Sequence, residues 1–193
     1  NQIVAVVEDI APSAIKIGML ANKEIATVVA DALSRYNIPT ILDPVMVSSS
    51  GHRLLSLDAQ EVVKERLLPL STLVTPNIPE MEALTAMSLT TAEEKLSAAQ
   101  YLLSLGAQAV LLKGGHEEGD TKCDTLYELD GSNITQLHLS TPTVATKNIH
   151  GTGCTLSSAI AAFMARGLAL REAVQEAKNY ITEAILSGAD IAI

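Results

Sequence analysis

Short runs of almost wholly apolar residues alternate along this chain with longer segments of helical periodicity. Residues 40–42 and 109–112 are such runs, whereas residues 21–36 place apolar side chains three or four positions apart. Strands that are apolar on both faces are typical of a parallel sheet covered by helices on both sides and joined by right-handed crossovers. The alternation therefore predicts an α/β fold with a mainly parallel central sheet.

The alternation extends over most of the chain. Predicted strands span residues 14–19, 40–42, 72–75 and 109–112, and predicted helices span 21–36, 57–68, 92–105, 156–164 and 170–186. Residues 119–149 are polar and rich in turns, and within them 124–129 and 134–139 are predicted antiparallel strands. No linker or repeat divides the sequence, so we expect one domain over residues 1–193. The chain opens on Asn1 and residues 2–10 are typical of the middle of an element, so we expect this domain to lack an N-terminal portion.

Composition excludes several functional classes. A chain of 193 residues with 48% hydrophobic residues can bury a substantial core. Its 13 basic and 22 acidic residues give a net charge of -9, which disfavours general binding to nucleic acid or anionic membranes. Two cysteines cannot build a disulfide framework, and no cationic stretch followed by an apolar one opens the chain. We therefore expect a cytoplasmic protein.

Candidate site residues, most of them polar, follow each of the four predicted parallel strands. Met19, Asp43, Asn77 and Lys113 come directly after or close to a strand end, and Glu80 follows shortly after Asn77. Ligands of parallel sheets bind beyond the carboxyl ends of the strands, so these residues should line one rim.

Several of these residues have two interpretations. Asp43, Asn77 and Glu80 supply the oxygen ligands that Mg²⁺ prefers, but Asp43 before Pro44 also suits a turn, and Asn77 also suits a helix cap. Lys113 precedes two glycines and could present its ammonium group to a phosphate. It could equally be a strand-end lysine whose stem covers apolar surface.

The segment Gly151-Thr152-Gly153-Cys154 precedes an apolar helix. Glycines let backbone N–H groups approach an anion, and the positive end of the helix dipole adds to that attraction. The same segment also fits an ordinary helix start with a hydroxyl cap. Cys154 at the first turn can be a reactive thiol that accepts a substrate proton, or a small buried apolar residue, which is our expectation for Cys123.

Familiar catalytic and nucleotide motifs are absent from the sequence. The four histidines lack metal-ligand spacing, and no G-x-S-x-G elbow, Walker loop or G-x-G-x-x-G loop occurs. Zinc and serine-hydrolase chemistry are therefore excluded, and any ATP site must be of another kind.

Five segments together carry a family resemblance. They occur in this order: Lys16-Ile17-Gly18-Met19-Leu20, Asp43-Pro44-Val45-Met46-Val47, Thr75-Pro76-Asn77 with Glu80, Leu112-Lys113-Gly114-Gly115-His116, and His150-Gly151-Thr152-Gly153-Cys154. Over essentially its whole length the chain resembles the hydroxymethylpyrimidine/phosphomethylpyrimidine kinases of the ribokinase-like superfamily. The resemblance implies a three-layer α/β/α fold and ATP-dependent phosphorylation of 4-amino-5-hydroxymethyl-2-methylpyrimidine and its monophosphate, giving the diphosphate used in thiamin biosynthesis.

The resemblance also implies roles for individual residues and a homodimer. Gly151, Thr152 and Gly153 would form an anion hole for the transferred phosphoryl group, and Cys154 would be the catalytic base. Lys113, with Thr152 and Gly153, would bind ATP. Gly18, Met19 and Val45 would contact the pyrimidine, and Asp43, Asn77 and Glu80 would organise Mg²⁺, mostly through waters.

Two alternatives to the pyrimidine kinase remain. A pyridoxal kinase of the same subfamily acts on a similar hydroxymethyl-bearing aromatic ring. A non-catalytic fragment could keep the nucleotide rim without a complete substrate pocket, because the strand, glycine-rich stretch and lid that open such kinases are not recognisable in this sequence.

Overall fold

The computed structural model describes residues 2–46, 54–115, 119–144, 146 and 150–188. Over these residues the chain forms a six-stranded sheet and seven α-helices. The strands are β1 (Ile15–Ile17), β2 (Thr40–Leu42), β3 (Leu73–Val74), β4 (Ala109–Leu112), β5 (Thr121–Asp130) and β6 (Asn133–Pro142). The helices are α1 (Gln2–Ile10), α2 (Lys23–Leu33), α3 (Leu57–Val62), α4 (Ile78–Thr85), α5 (Ala92–Ser104), α6 (Thr152–Ala165) and α7 (Leu170–Leu186).

The strands lie in the sheet in their order along the chain. Neighbouring strands from β1 to β4 are parallel, whereas β5 pairs antiparallel with both β4 and β6. The predicted mainly parallel sheet and antiparallel hairpin are therefore confirmed. The hairpin strands are longer than predicted because backbone pairing continues to Thr121 with Pro142 and to Asp130 with Asn133, beyond the apolar part of each strand. Such pairing needs only backbone groups, so a hydrophobicity pattern does not detect it.

Helices cover both faces of the sheet. Successive strand residues contribute to opposite cores: Leu42 and Val74 belong to the core that includes residues of α2, α3, α4 and α5, whereas Ile41 and Leu73 belong to the core with α6 and α7. This alternation follows from the two-residue period of a strand. It explains why the strands are apolar throughout and confirms the predicted three layers.

Several helix boundaries differ from the prediction. The segment 57–68 is α-helical only to Val62, and it continues as a π-helical turn and then a 3₁₀ turn, Leu68–Leu70. Pro69 lies in that last turn and cannot donate a backbone hydrogen bond, which favours an early end to regular helix. In contrast, α6 begins earlier than predicted, at Thr152, because Gly151 at the N-cap and Gly153 in the first turn hid the apolar pattern. None of the described helices is long and apolar enough to cross a lipid bilayer.

Backbone hydrogen bonds continue past the strand ends and hold the rim together. Asp43 N donates to Ile17 O at 2.9 Å, and Lys113 N donates to Pro76 O at 2.9 Å. Asn77 and Lys113 form an isolated parallel bridge. The residues after β2, β3 and β4 are therefore held side by side.

Candidate active site

Lys113 lies at the centre of the predicted rim. Its Nζ is 2.9 Å from Asp43 Oδ1 and 3.7 Å from Glu80 Oε2. A methyl group built on Gly153 would come within 3.3 Å of the same Nζ. The structure thus brings together three strand ends and the first turn of α6, as the sequence predicted.

Asp43 is buried and has several donors. Besides Lys113, the hydroxyl of Thr75 donates to Oδ1 at 3.2 Å, and that of Ser157 donates to Oδ2 at 3.1 Å. Lys16 Nζ lies 3.8 Å from Oδ2. Burial by itself raises the pKa of Asp43, but the charges of Lys113 and Lys16 and these hydrogen bonds outweigh it and lower the pKa. Asp43 is therefore a carboxylate at neutral pH.

Asn77 and Glu80 form a capping box at the start of α4. Asn77 Oδ1 accepts from Glu80 N at 2.8 Å, and Asn77 N donates to Glu80 Oε2 at 2.8 Å. The capping role expected for Asn77 is confirmed, and the same contacts aim the Glu80 carboxyl group at Lys113. Burial raises the pKa of Glu80, because the charge of Lys113 and the hydrogen bond from Asn77 do not fully offset it.

The ammonium group of Lys113 is stabilised in spite of its burial. Burial lowers the pKa of Lys113, but the negative charges of Asp43 and Glu80 and the hydrogen bond to Asp43 outweigh it and raise the pKa. The rim therefore holds a fixed cation at neutral pH. This position, held in place by two carboxyl groups, argues against a strand-end lysine that serves only to cover apolar surface.

The first turn of α6 lies at the rim, close to Lys113. Gly151 is the N-cap residue, with a φ of 80° that favours glycine. The first intrahelical hydrogen bond runs from Thr155 N to Gly151 O at 2.9 Å, so the amides of Gly153 and Cys154 precede it. No side chain caps this helix, so the expected hydroxyl cap is not observed, because the capping residue is a glycine. Cys154 is exposed and Cys123 is partly buried, so Cys154 is not a buried apolar residue.

The residues predicted to contact the pyrimidine lie after β1 and β2. Met19 is 57% exposed, so its apolar side chain is accessible to a ligand. Gly18 lies against Lys16, because a methyl group built on Gly18 would come within 2.6 Å of Lys16 Nζ. Val45 is partly buried, and its N donates to Asp43 O at 2.8 Å.

Sequence reasoning missed three polar neighbours of Asp43. Lys16 and Thr75 occur inside segments that carry the family resemblance but received no role. Ser157 follows Gly153 by one helical turn, which places it on the rim side of α6. Its spacing of four residues from Gly153, in a largely apolar helix, could have identified it from the sequence. Val47 and His116, also in those segments, lie outside the described residues.

Among the described residues, no three histidine, cysteine or acidic side chains form a cluster that could hold a metal ion by themselves. The oxygens of Asp43 and Glu80 already accept hydrogen bonds from the protein. A cation at this rim would therefore take few ligands directly from the chain.

Comparison with known proteins identifies relatives over nearly the full chain. The sequence profile of the family described as phosphomethylpyrimidine kinase matches residues 1–192. A thiamine biosynthesis bifunctional protein of Geobacter sulfurreducens is 45% identical over 96% of this chain, which spans 37% of that protein. The hydroxymethylpyrimidine/phosphomethylpyrimidine kinase of Bacillus subtilis is 40% identical over 96% of this chain, which spans 68% of that protein.

Solved structures of such kinases share the fold. The phosphomethylpyrimidine kinase of Clostridium difficile has a TM-score of 0.79 and is 40% identical, over 95% of this chain and 74% of that one. The pyridoxal kinase of Bacillus subtilis, solved as an ADP complex, has a TM-score of 0.87 and is 30% identical, over 99% of this chain and 70% of that one. The predicted ribokinase-like fold and the resemblance to pyrimidine kinases are thereby confirmed, and a kinase family implies ATP as the phosphoryl donor. This chain belongs to the phosphomethylpyrimidine kinase family.

Proposed function

We propose that residues 1–193 form a kinase domain that phosphorylates hydroxymethylpyrimidine and then its monophosphate in thiamin biosynthesis. The family match and the names of the relatives support this substrate. The observation that carries the proposal is the convergence of Lys113, the first turn of α6 and Cys154 at one rim. That arrangement combines a fixed cation, helix amides that precede the first intrahelical hydrogen bond and a candidate proton acceptor, which are the groups that phosphoryl transfer requires.

In the proposed reaction, the hydroxymethyl oxygen of the pyrimidine attacks the γ-phosphorus of ATP. A new O–P bond forms, the bond from the γ-phosphorus to the bridging oxygen breaks, and ADP leaves. Lys113 neutralises charge on the phosphates, while the amides at Gly151, Thr152 and Gly153 stabilise the transferred group. Cys154 as thiolate accepts the hydroxyl proton and later releases it to solvent. In the second round the terminal phosphate oxygen of the monophosphate is the nucleophile.

Mg²⁺ fits this site chiefly through water. Asp43, Asn77 and Glu80 would hold it. Because their oxygens already accept hydrogen bonds, ordered waters would lie between these side chains and the ion, as is common for Mg²⁺. When bound it supplies positive charge to the ATP phosphates. The charges of Lys113 and Lys16 keep the pKa of Asp43 low, so its carboxylate is ionised for that role.

A direct assay tests the proposal. The intact protein is incubated with ATP and hydroxymethylpyrimidine, its monophosphate or pyridoxal, and product masses are read. Two successive phosphate additions to the pyrimidine are expected. Transfer to none of the three compounds, by a protein that binds ADP, would refute the proposal.

The base is tested with Cys154→Ala and Cys154→Ser. Cys154 is exposed, so both variants should keep the parental melting temperature. We expect kcat to fall by about 10²-fold or more in the alanine variant, in the range for a general base. A parental kcat in Cys154→Ala would show that the thiol is not the base.

Pyridoxal kinase activity is a second candidate. The structural likeness to the pyridoxal kinase of Bacillus subtilis, at a TM-score of 0.87, favours it. Gly18, Met19 and Val45 would contact either ring, because both substrates are flat and bear a hydroxymethyl group. Phosphorylation of pyridoxal alone in the same assay would assign this activity instead.

The family resemblance further supports a cytoplasmic homodimer. Light scattering on the intact protein, coupled to size-exclusion chromatography, should give twice the mass of one chain. A single-chain mass at working concentration would contradict the dimer.

A further inference from the structure

A second buried ion pair lies next to the rim, outside the groups given a role above. Lys178 of α7 donates to Asp124 Oδ2 of β5 at 2.7 Å, and the two side chains are 10% and 5% exposed. The other oxygen of this carboxylate, Oδ1, accepts the backbone N–H of Gly114 at 2.9 Å. Asp124 thus binds a helix with one oxygen and a loop with the other.

The loop that Asp124 holds is the one that carries Lys113. Gly114 is buried directly after Lys113, and the next residue, Gly115, is exposed. Gly114 and Gly115 have no side chains to anchor this turn, so backbone contacts must define its path. The Gly114 amide donates to Asp124, ten positions further along the chain. Removal of this acceptor would leave a buried N–H without compensation.

The charge of Lys178 explains how a carboxylate can occupy this place. An isolated buried carboxylate is costly, whereas a paired one with its remaining oxygen hydrogen-bonded is tolerated. A neutral acceptor would satisfy Gly114 equally well in number of bonds, but a charged acceptor makes a stronger hydrogen bond. The pair therefore suits a role in holding the loop firmly.

We propose that Asp124 and Lys178 are positioning residues for the nucleotide side of the site, acting through the Gly114 amide on the loop that presents Lys113. This inference rests on the proposed function in assigning ATP to Lys113. In this proposal the pair affects the reaction through the position of the loop that carries Lys113 and Gly114. Its loss should weaken nucleotide binding and leave pyrimidine binding unchanged, because the residues proposed for the pyrimidine follow β1 and β2.

The test compares two double variants, since removing one partner alone leaves a buried unpaired charge that threatens folding. Asp124→Asn/Lys178→Met removes both charges and keeps an oxygen that can accept from Gly114. Asp124→Leu/Lys178→Met removes both charges and the acceptor. A matched control is Arg171→Met, which breaks an exposed pair between the same helix and strand, Arg171 Nε to Glu128 Oε2 at 2.6 Å.

Binding of ADP to the intact proteins is measured by calorimetry, with melting temperature alongside. We expect the leucine double variant to bind ADP about tenfold more weakly than the asparagine double variant, because binding must then order the loop. The KM for ATP should rise in parallel, the KM for the pyrimidine should not, and Arg171→Met should bind ADP as the parent does. Equal ADP affinity in the two double variants, both folded, would overturn the proposal.

A third variant covers the case in which the leucine protein does not fold. Asp124→Glu keeps the charge for Lys178 but moves the acceptor by one methylene, so ADP affinity should fall although the ion pair can persist. Parental affinity in this variant would also overturn the proposal. If the parent binds ADP but phosphorylates none of the pyrimidines, the proposed function fails while these ADP comparisons still decide the positioning role.

Discussion

Replacing Gly153 with alanine should separate stability from activity. Gly153 lies inside α6, and its backbone does not have the positive φ that Gly151 has, so alanine fits the conformation. The added methyl group would meet Lys113 Nζ at 3.3 Å, which is tighter than an ordinary contact. It would also occupy space that the proposed anion hole leaves for a phosphoryl group.

Two opposing magnitudes follow for this substitution. Alanine is favoured over glycine within a helix by roughly 0.5–1 kcal/mol, so the melting temperature should stay constant or rise by about 1–4 °C for a chain of this size. Loss of one donor of an anion hole lowers kcat by about 10²–10³-fold. Because the methyl group displaces Lys113 by only a few tenths of an ångström, we expect a smaller but clear loss, at least about tenfold.

The assay measures kcat for pyrimidine phosphorylation and thermal unfolding on the same preparations. Gly151→Ala is the matched control for backbone strain, because a side chain at its φ of 80° costs about 1–2 kcal/mol. Among the described residues, no atom beyond its chain neighbours lies within 4 Å of the new methyl group. Gly153→Ala should lose activity without loss of stability, and Gly151→Ala should lose stability. A parental kcat in Gly153→Ala, or a loss of stability equal to that in Gly151→Ala, would refute the reasoning.

Three further predictions concern the ion pairs and caps of the rim. Lys113→Met leaves Asp43 buried without its main partner, so the free energy of unfolding measured in urea should fall by about 3–5 kcal/mol. Arg66→Met breaks an exposed pair and should lower it by less than about 1 kcal/mol, and similar losses in both variants would contradict this prediction. Asn77→Ala and Thr91→Ala each remove a capping box, so each should lower the free energy of unfolding by about 1 kcal/mol. Of these two variants only Asn77→Ala should raise the KM for ATP, because α4 begins at the rim and α5 does not, and a parental KM in Asn77→Ala would count against the site. The pKa of Asp43 is lowered from 3.8, so its contribution to stability is complete above pH 3.8 and is lost as the pH falls through the lowered value. The free energy of unfolding of the parent should therefore fall more steeply in acid than that of Asp43→Asn. Equal slopes would show that Asp43 is not stabilised as a carboxylate.

Local chemistry determined much of this fold. Apolar runs such as 40–42 and 109–112 predicted both strands without error, because a strand buried on both faces permits little else. The order of strands along a βαβ chain then placed Asp43, Asn77 and Lys113 at one edge. The capping role of Asn77 was also predictable from the sequence, because Glu80, which completes the capping box, lies only three residues away.

Contacts between distant segments were decided only by the tertiary structure. Ser157 reaches Asp43 across 114 positions, and Lys178 reaches Asp124 across 54, so no local pattern connects them. Their chemistry also depends on burial, since a serine or lysine on a helix is usually exposed and becomes a specific partner only when packing removes water. The sequence by itself therefore determined which strand ends meet, and the packing of α6 and α7 onto the sheet decided which side chains hold the site together.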